Sequence, residues 1–86
     1  MKIEIDVPEY DPYIGVRTEW KRGYKISARI EDGIVIIGAN CAGLVSLAQH
    51  MLTLAQPQVP EGCHNHYDDL NSLESGSCEV IIEKIS

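Results

Sequence analysis

Gly33-Ile34-Val35-Ile36-Ile37-Gly38-Ala39-Asn40-Cys41-Ala42-Gly43-Leu44-Val45-Ser46-Leu47-Ala48-Gln49-His50-Met51-Leu52-Thr53-Leu54-Ala55-Gln56 contains no Asp, Glu, Lys or Arg. The uncharged run continues to Pro60. Ile34 to Ile37 read as a strand buried on both faces, Gly38-Ala39-Asn40 as a turn, and Cys41 to Gln56 as a helix lying across a sheet. The run is long enough to raise the question of a membrane span, which takes ~20 predominantly apolar residues. Gly38 and Asn40 interrupt it, and Gln49 and His50 would be left unpaired in hydrocarbon at several kcal/mol each. A packed helix is therefore expected, not a span.

Asn40 suits the N-cap, because its side chain can accept from the free N–H groups of the first turn. Leu44, Leu47, Ala48, Met51, Leu54 and Ala55 recur at helical spacing, and Val45 and Leu52 widen the stripe. Burial of these side chains is expected to contribute ~1.5–3 kcal/mol for each large one. Pro57 stops the helix. Gly43 in the first turn costs up to ~1 kcal/mol relative to Ala; a close approach to the sheet would account for it. His50 reads as a boundary residue beside the apolar stripe.

Outward from the helix the chain alternates. Ile3, Ile5 and Val7 face opposite to Lys2, Glu4 and Asp6; Val16, Thr18 and Trp20 alternate with Arg17 and Glu19; Tyr24, Ile26, Ala28 and Ile30 alternate with charged or polar residues to Glu31. Asp32-Gly33 is a two-residue hairpin signal, since such turns need positive φ. Pro8 and Pro12 bracket a loop. A short strand is expected near residues 63–67 and a last one over 77–85. The predicted fold is α+β: one domain, residues 1–86, with an antiparallel sheet of five or six strands and a single helix packed on one face, in the order ββββ-α-ββ.

The chain has 86 residues and a net charge of −6, no Phe and one Trp, so aliphatic residues must supply most of a small core. The charge is uneven. Residues 1–32 are close to balanced, whereas residues 61–86 carry Glu61, Asp68, Asp69, Glu74, Glu79 and Glu83 against Lys84 alone. Such a surface repels nucleic acid and membranes and attracts basic partners. Met1 to Asp6 lacks the apolar region of a signal peptide, so a cytoplasmic location is expected. Cys41, Cys63 and Cys78 are odd in number and irregularly spaced, and they read as buried free thiols rather than a disulfide framework.

Three local groupings carry chemistry. On a strand, His64 and His66 share a face, and Asp68 can join them as a ligand set for Zn²⁺ or Ni²⁺. The bland reading is two surface histidines beside carboxylates, and no Cys-x-x-Cys or His-Glu-x-x-His motif supports the metal. A nucleophilic pairing of Cys41, Cys63 or Cys78 with His50, His64 or His66 is formally open. However, Cys41 sits in the uncharged block, and Cys63 and His64 point to opposite faces of a strand. No enzyme and no cofactor are expected. The third grouping is Asp68, Asp69, Glu74, Glu79 and Glu83, either a solvated face or a docking surface for a cationic protein. Tyr10, Tyr13 and Tyr67 are candidate aromatic anchors there.

Two segments carry a family likeness. Asn40-Cys41-Ala42-Gly43-Leu44 opens a helix that ends in Leu54-Ala55, and Gly62-Cys63-His64-Asn65-His66-Tyr67-Asp68 precedes Gly76-Ser77 and the last strand. Together they resemble a family of small bacterial immunity proteins of polymorphic toxin systems, immunity protein family thirty-two, over roughly residues 24–85. The resemblance implies a non-enzymatic protein that binds and neutralises a cognate toxin in the cytoplasm of the producing cell, with no catalytic residues to carry over. On that reading Tyr67, Asp68, Asp69, Glu74, Glu79 and Glu83 would meet the toxin. Cys41, Cys63 and Cys78 depart from the residues expected at their positions.

Overall fold

The computed structural model describes residues 1–86. Its elements are β1 (Ile26–Glu31), β2 (Ile34–Ala39), α1 (Cys41–Leu54), β3 (His64–Tyr67) and β4 (Val80–Glu83). The chain is α+β, but the sheet of five or six strands is replaced by two antiparallel ribbons, β1–β2 and β3–β4. The expected strands over residues 2–7 and 16–20 do not form; that region holds only an isolated bridge between Asp11 and Gly15.

The β1–β2 ribbon follows the local sequence. Asp32 and Gly33 adopt φ of 50° and 77°, the positive pair a tight hairpin requires. Register runs from Glu31 opposite Ile34 to Ile26 opposite Ala39. The second ribbon pairs His64 with Glu83 through Tyr67 with Val80. Between Tyr67 and β4 the chain runs beside the outer edge of β1. There Glu74 N–H donates to Ile26 O (2.8 Å), Cys78 N–H donates to Ala28 O (2.9 Å), and Ala28 N–H donates to Ser77 Oγ (3.2 Å). Residues 74–78 thus stitch the two ribbons together, with β2 at one lateral end and β3 at the other.

Asn40 fixes where α1 begins. Its Oδ1 accepts from Gly43 N–H (2.8 Å) and from Lys25 N–H (3.0 Å), and its Nδ2 donates to Gly23 O (2.9 Å). One side chain therefore caps the helix and ties it to the base of the hairpin. Gly43 is there for space. A Cβ on it would stand 2.6 Å from Lys25 O and 2.9 Å from Ile26 Cγ1, so the backbone of α1 lies against β1 as closely as glycine allows.

The core is small. Ile26, Ala28, Leu47, Tyr67 and Leu73 form it, with Trp20, Tyr24, Cys78, Val80 and Ile82 packed around them. The expected burial of the whole apolar stripe of α1 does not hold. Leu47 and Leu54 are buried, but Leu44 and Met51 are 55% and 49% exposed, and Val45 and Leu52 also face solvent. Likewise β2 is not buried on both faces, since Ile34 and Val35 are 62% and 60% exposed.

The physical reason lies in the N-terminal segment. Residues 6–21, expected as the end of one strand, a loop and a second strand, instead run along the polar flank of α1. Ser46 Oγ accepts from Lys21 N–H (2.9 Å). Gln49 Nε2 donates to Asp6 O (2.7 Å). Gln56 Nε2 donates to Pro8 O (2.9 Å), and its Oε1 accepts from Tyr10 N–H (3.0 Å). The arm meets its backbone hydrogen-bonding needs with side chains of α1 rather than with a strand. That turns the polar flank inward and part of the apolar flank outward. No helix of the chain is long and apolar enough to cross a membrane.

Candidate functional site

The C-terminal third is built on the β3–β4 ribbon, which Gly62 N–H to Lys84 O (2.7 Å) and Lys84 N–H to Cys63 O (2.9 Å) extend by one step. Alternation on β3 places His64 and His66 outward and Asn65 and Tyr67 inward. Asp68 then organises the loop. Its Oδ1 accepts from Leu70 and Asn71 N–H (2.9 Å each), and its backbone oxygen accepts from Ser72 and Leu73 N–H. The turn drives Leu73 into the core. Asp69 Oδ2 accepts from Gly76 N–H (3.2 Å) at the far end of the same loop.

The carboxylates named from sequence fall into two groups. Asp68 is half-buried and bound to loop amides. Asp69, Glu74, Glu79 and Glu83 are exposed. None of the five pairs with Lys or Arg; the only Arg–carboxylate pair in the chain is Arg29 with Glu31, at 2.8 Å. Lys84, the one base of this third, donates Nζ to Gln56 O (2.7 Å) just past the end of α1. No lysine or arginine of this chain therefore offsets the negative charge.

Tyr67, expected as an exposed anchor, is 3% exposed and belongs to the interior. Its hydroxyl lies 2.9 Å from His50 Nδ1, and His50 Nε2 lies 2.6 Å from Glu19 O. A carbonyl can only accept, so Nε2 carries the proton, Nδ1 accepts, and the Tyr67 hydroxyl donates. Trp20 packs edge-on against His50, with ring centroids 4.5 Å apart, and stacks on Tyr24 at 4.3 Å. Burial lowers the pKa of His50, with the Glu19 carbonyl pulling the other way, and raises the Tyr67 phenol to about 12. His50 is thus no boundary residue. It joins the arm, the helix and β3 in one buried contact, and sequence reasoning missed it. Of the other tyrosines, Tyr13 is open to solvent and Tyr10 is half-buried.

His64, His66 and Asp68 do not gather as ligands. No three His, Cys, Asp or Glu side chains converge on a point that would hold a metal. His66 instead stands between two carboxylates, 3.9 Å from Asp68 Oδ2 and 3.5 Å from Glu79 Oε2, while His64 Nδ1 lies 3.2 Å from Gly62 O. All three cysteines are free, and Cys41 is exposed rather than buried.

The segment running from β2 through α1 to the end of β4 is also what compares with known proteins. The profile of immunity protein 32 matches residues 34–85, more than half of the chain. The chain belongs to the immunity protein 32 family. No curated protein and no solved structure matches it. The matched range holds the cap Asn40, the histidine-bearing ribbon and the carboxylates Asp68, Asp69, Glu74, Glu79 and Glu83. It leaves out the arm and β1, so the helix-binding arm of this immunity protein lies outside the matched residues.

Proposed function

We propose that this immunity protein neutralises a cognate toxin by binding it, without turnover, through the carboxylates of its C-terminal third. Asp69, Glu74, Glu79 and Glu83 form the docking surface, with Asp68 shaping its rim, and Tyr67 supports it from within. The partner surface is cationic, as on a nuclease that grips phosphates. The binding takes place in the cytoplasm of the producing cell. The observation that supports this reading is the absence of any Lys or Arg partner for these five carboxylates. A surface rich in charge of one sign steers an oppositely charged protein and raises its association rate.

The test uses the cognate toxin domain, sought among the genes adjacent to the one for this chain. Association is followed at low and high salt for the natural chain and for a Glu74→Gln, Glu79→Gln, Glu83→Gln variant. The natural chain is expected to bind ~10-fold or more faster at low salt, and the variant to lose most of that gain while keeping its circular dichroism. Binding equally fast and salt-independent in both would overturn the acidic docking surface. Failure of the natural chain to bind or to protect a cell expressing the toxin would overturn the neutralising role itself.

A further inference from the structure

We infer that the free edge of β2, together with the outward flank of α1, is the contact between two copies of this chain. The edge is open for pairing. Asn40 N–H donates to Lys25 O, so ladder alternation turns Gly38, Ile36 and Ile34 toward β1. The same alternation directs the N–H and C=O groups of Val35, Ile37 and Ala39 outward, where no backbone or side-chain group of the chain meets them. Beside them lies apolar surface. Ile30, Val35 and Ile37 sit on the core-side face of the ribbon beyond the cover of the helix, and Leu44 and Met51 continue it along α1. Ile37 and Met51 line the same narrow crevice, so the two parts are continuous.

A monomer rarely leaves such a surface bare. An uncovered, flat, hydrophobic edge strand invites pairing, and natural chains usually guard one with charge or proline. β2 has neither, because the whole segment from Gly33 to Pro60 lacks charge. The five side chains are between 42% and 63% exposed and form one continuous apolar surface of the kind that the core of a stable interface, ~800 Å² per partner, hides.

The occupant follows from charge and symmetry. Each copy has a net charge of −6, so two copies meet with the least like-charge repulsion where neither presents a charged side chain, and β2 and α1 carry none. An antiparallel edge is also complementary to itself. A two-fold axis at Ile36 sets Val35 opposite Ile37 of the second copy in the hydrogen-bonding positions, joins the two ribbons into four strands, and puts both helices on one side. β3 with Asp68, Asp69, Glu79 and Glu83 lies at the opposite lateral end of each copy and stays open, while Glu74 lines a groove with Gly38 and Ala39 near the base of the hairpin, so two toxins can be held at once.

Sedimentation of the free chain is expected to give the mass of two copies. Val35→Lys and Met51→Lys, both at exposed positions, are each expected to give a folded monomer. Amide exchange adds a readout independent of any substitution: Val35, Ile37 and Ala39 are expected to exchange slowly in the natural chain and fast in Val35→Lys. A monomeric natural chain would overturn the inference, as would a dimer that survives both substitutions or fast exchange at these three amides. The monomeric variants are expected to bind the toxin one-to-one with unchanged affinity. A natural monomer that loses toxin binding on Val35→Lys would give the edge to the toxin and overturn the dimer, while leaving the neutralising role standing.

Discussion

Along one flank of α1, Ser46, Gln49, His50 and Thr53 are buried; along another, Leu44, Met51 and Leu52 are about half exposed. Hydropathy alone would assign these roles in reverse. The difference comes from what each flank meets. The polar flank meets irregular backbone, whose N–H and C=O groups need partners that apolar side chains cannot supply. Of the apolar flank, only the part over the core around Leu47 is covered. A helix therefore buries the side whose chemistry matches its neighbour. Apolar spacing marks a surface that wants cover without naming the segment of this chain that gives it.

The largest expected effect lies on the polar flank. His50→Leu keeps bulk but strands the buried Tyr67 hydroxyl and takes away the partner of the Glu19 carbonyl, at about 3 kcal/mol for the pair of lost partners. In a domain this small that lowers the thermal midpoint by on the order of 15 °C. Unchanged or raised stability would break the comparison by making the flank mere filler.

A second, smaller effect is set by pH. Folded His50 holds its proton less well than unfolded His50, so the unfolded chain binds more protons in acid. Stability from this group is complete above about pH 6.5 and is lost as pH falls from there toward the lowered folded value. Tyr67 acts at the other end. Its folded pKa of about 12 exceeds the ordinary phenol value of about 10, so its contribution is lost as pH rises through that interval. Denaturant midpoints across pH check both signs, and His50→Leu should remove the acid slope.

The smallest effect lies on the open flank. Leu52→Gln leaves a solvent-facing position solvent-facing and is expected to change the stability of the single copy, measured in the monomeric Val35→Lys background, by less than about 0.5 kcal/mol. A loss of ~2 kcal/mol or more in that background would mean that Leu52 packs inside its own chain, and the contrast between the flanks would narrow.

Much of the architecture was legible because local rules determine it. Asp32-Gly33 makes the hairpin turn, Asn40 caps α1, Pro57 follows its end, and the alternation in 63–67 and 77–85 marks the second ribbon. The family likeness read from the helix and histidine segments agrees with the profile match over residues 34–85. The N-terminal arm was not legible. Its period of two is real, but a strand also needs an edge to join, and the outer edge of β1 is taken by residues 74–78. A signal for the arm was present in α1. Ser46, Gln49, His50, Thr53 and Gln56 follow helical spacing and include no charge, whereas a solvated helix face usually carries some. Uncharged polar groups at that spacing ask for backbone partners. Burial of Tyr67 also followed from alternation, since His64 and His66 could face outward together only if Asn65 and Tyr67 faced inward.

Trp20 is the chain's single tryptophan, and it sits where the arm, α1 and β3 converge, against His50 and Tyr67. Its ultraviolet emission is consequently an intrinsic gauge of whether the leading segment is seated. Detachment of that segment would wet the indole before the hairpin melts, so a label-free optical trace can separate partial opening from complete unfolding.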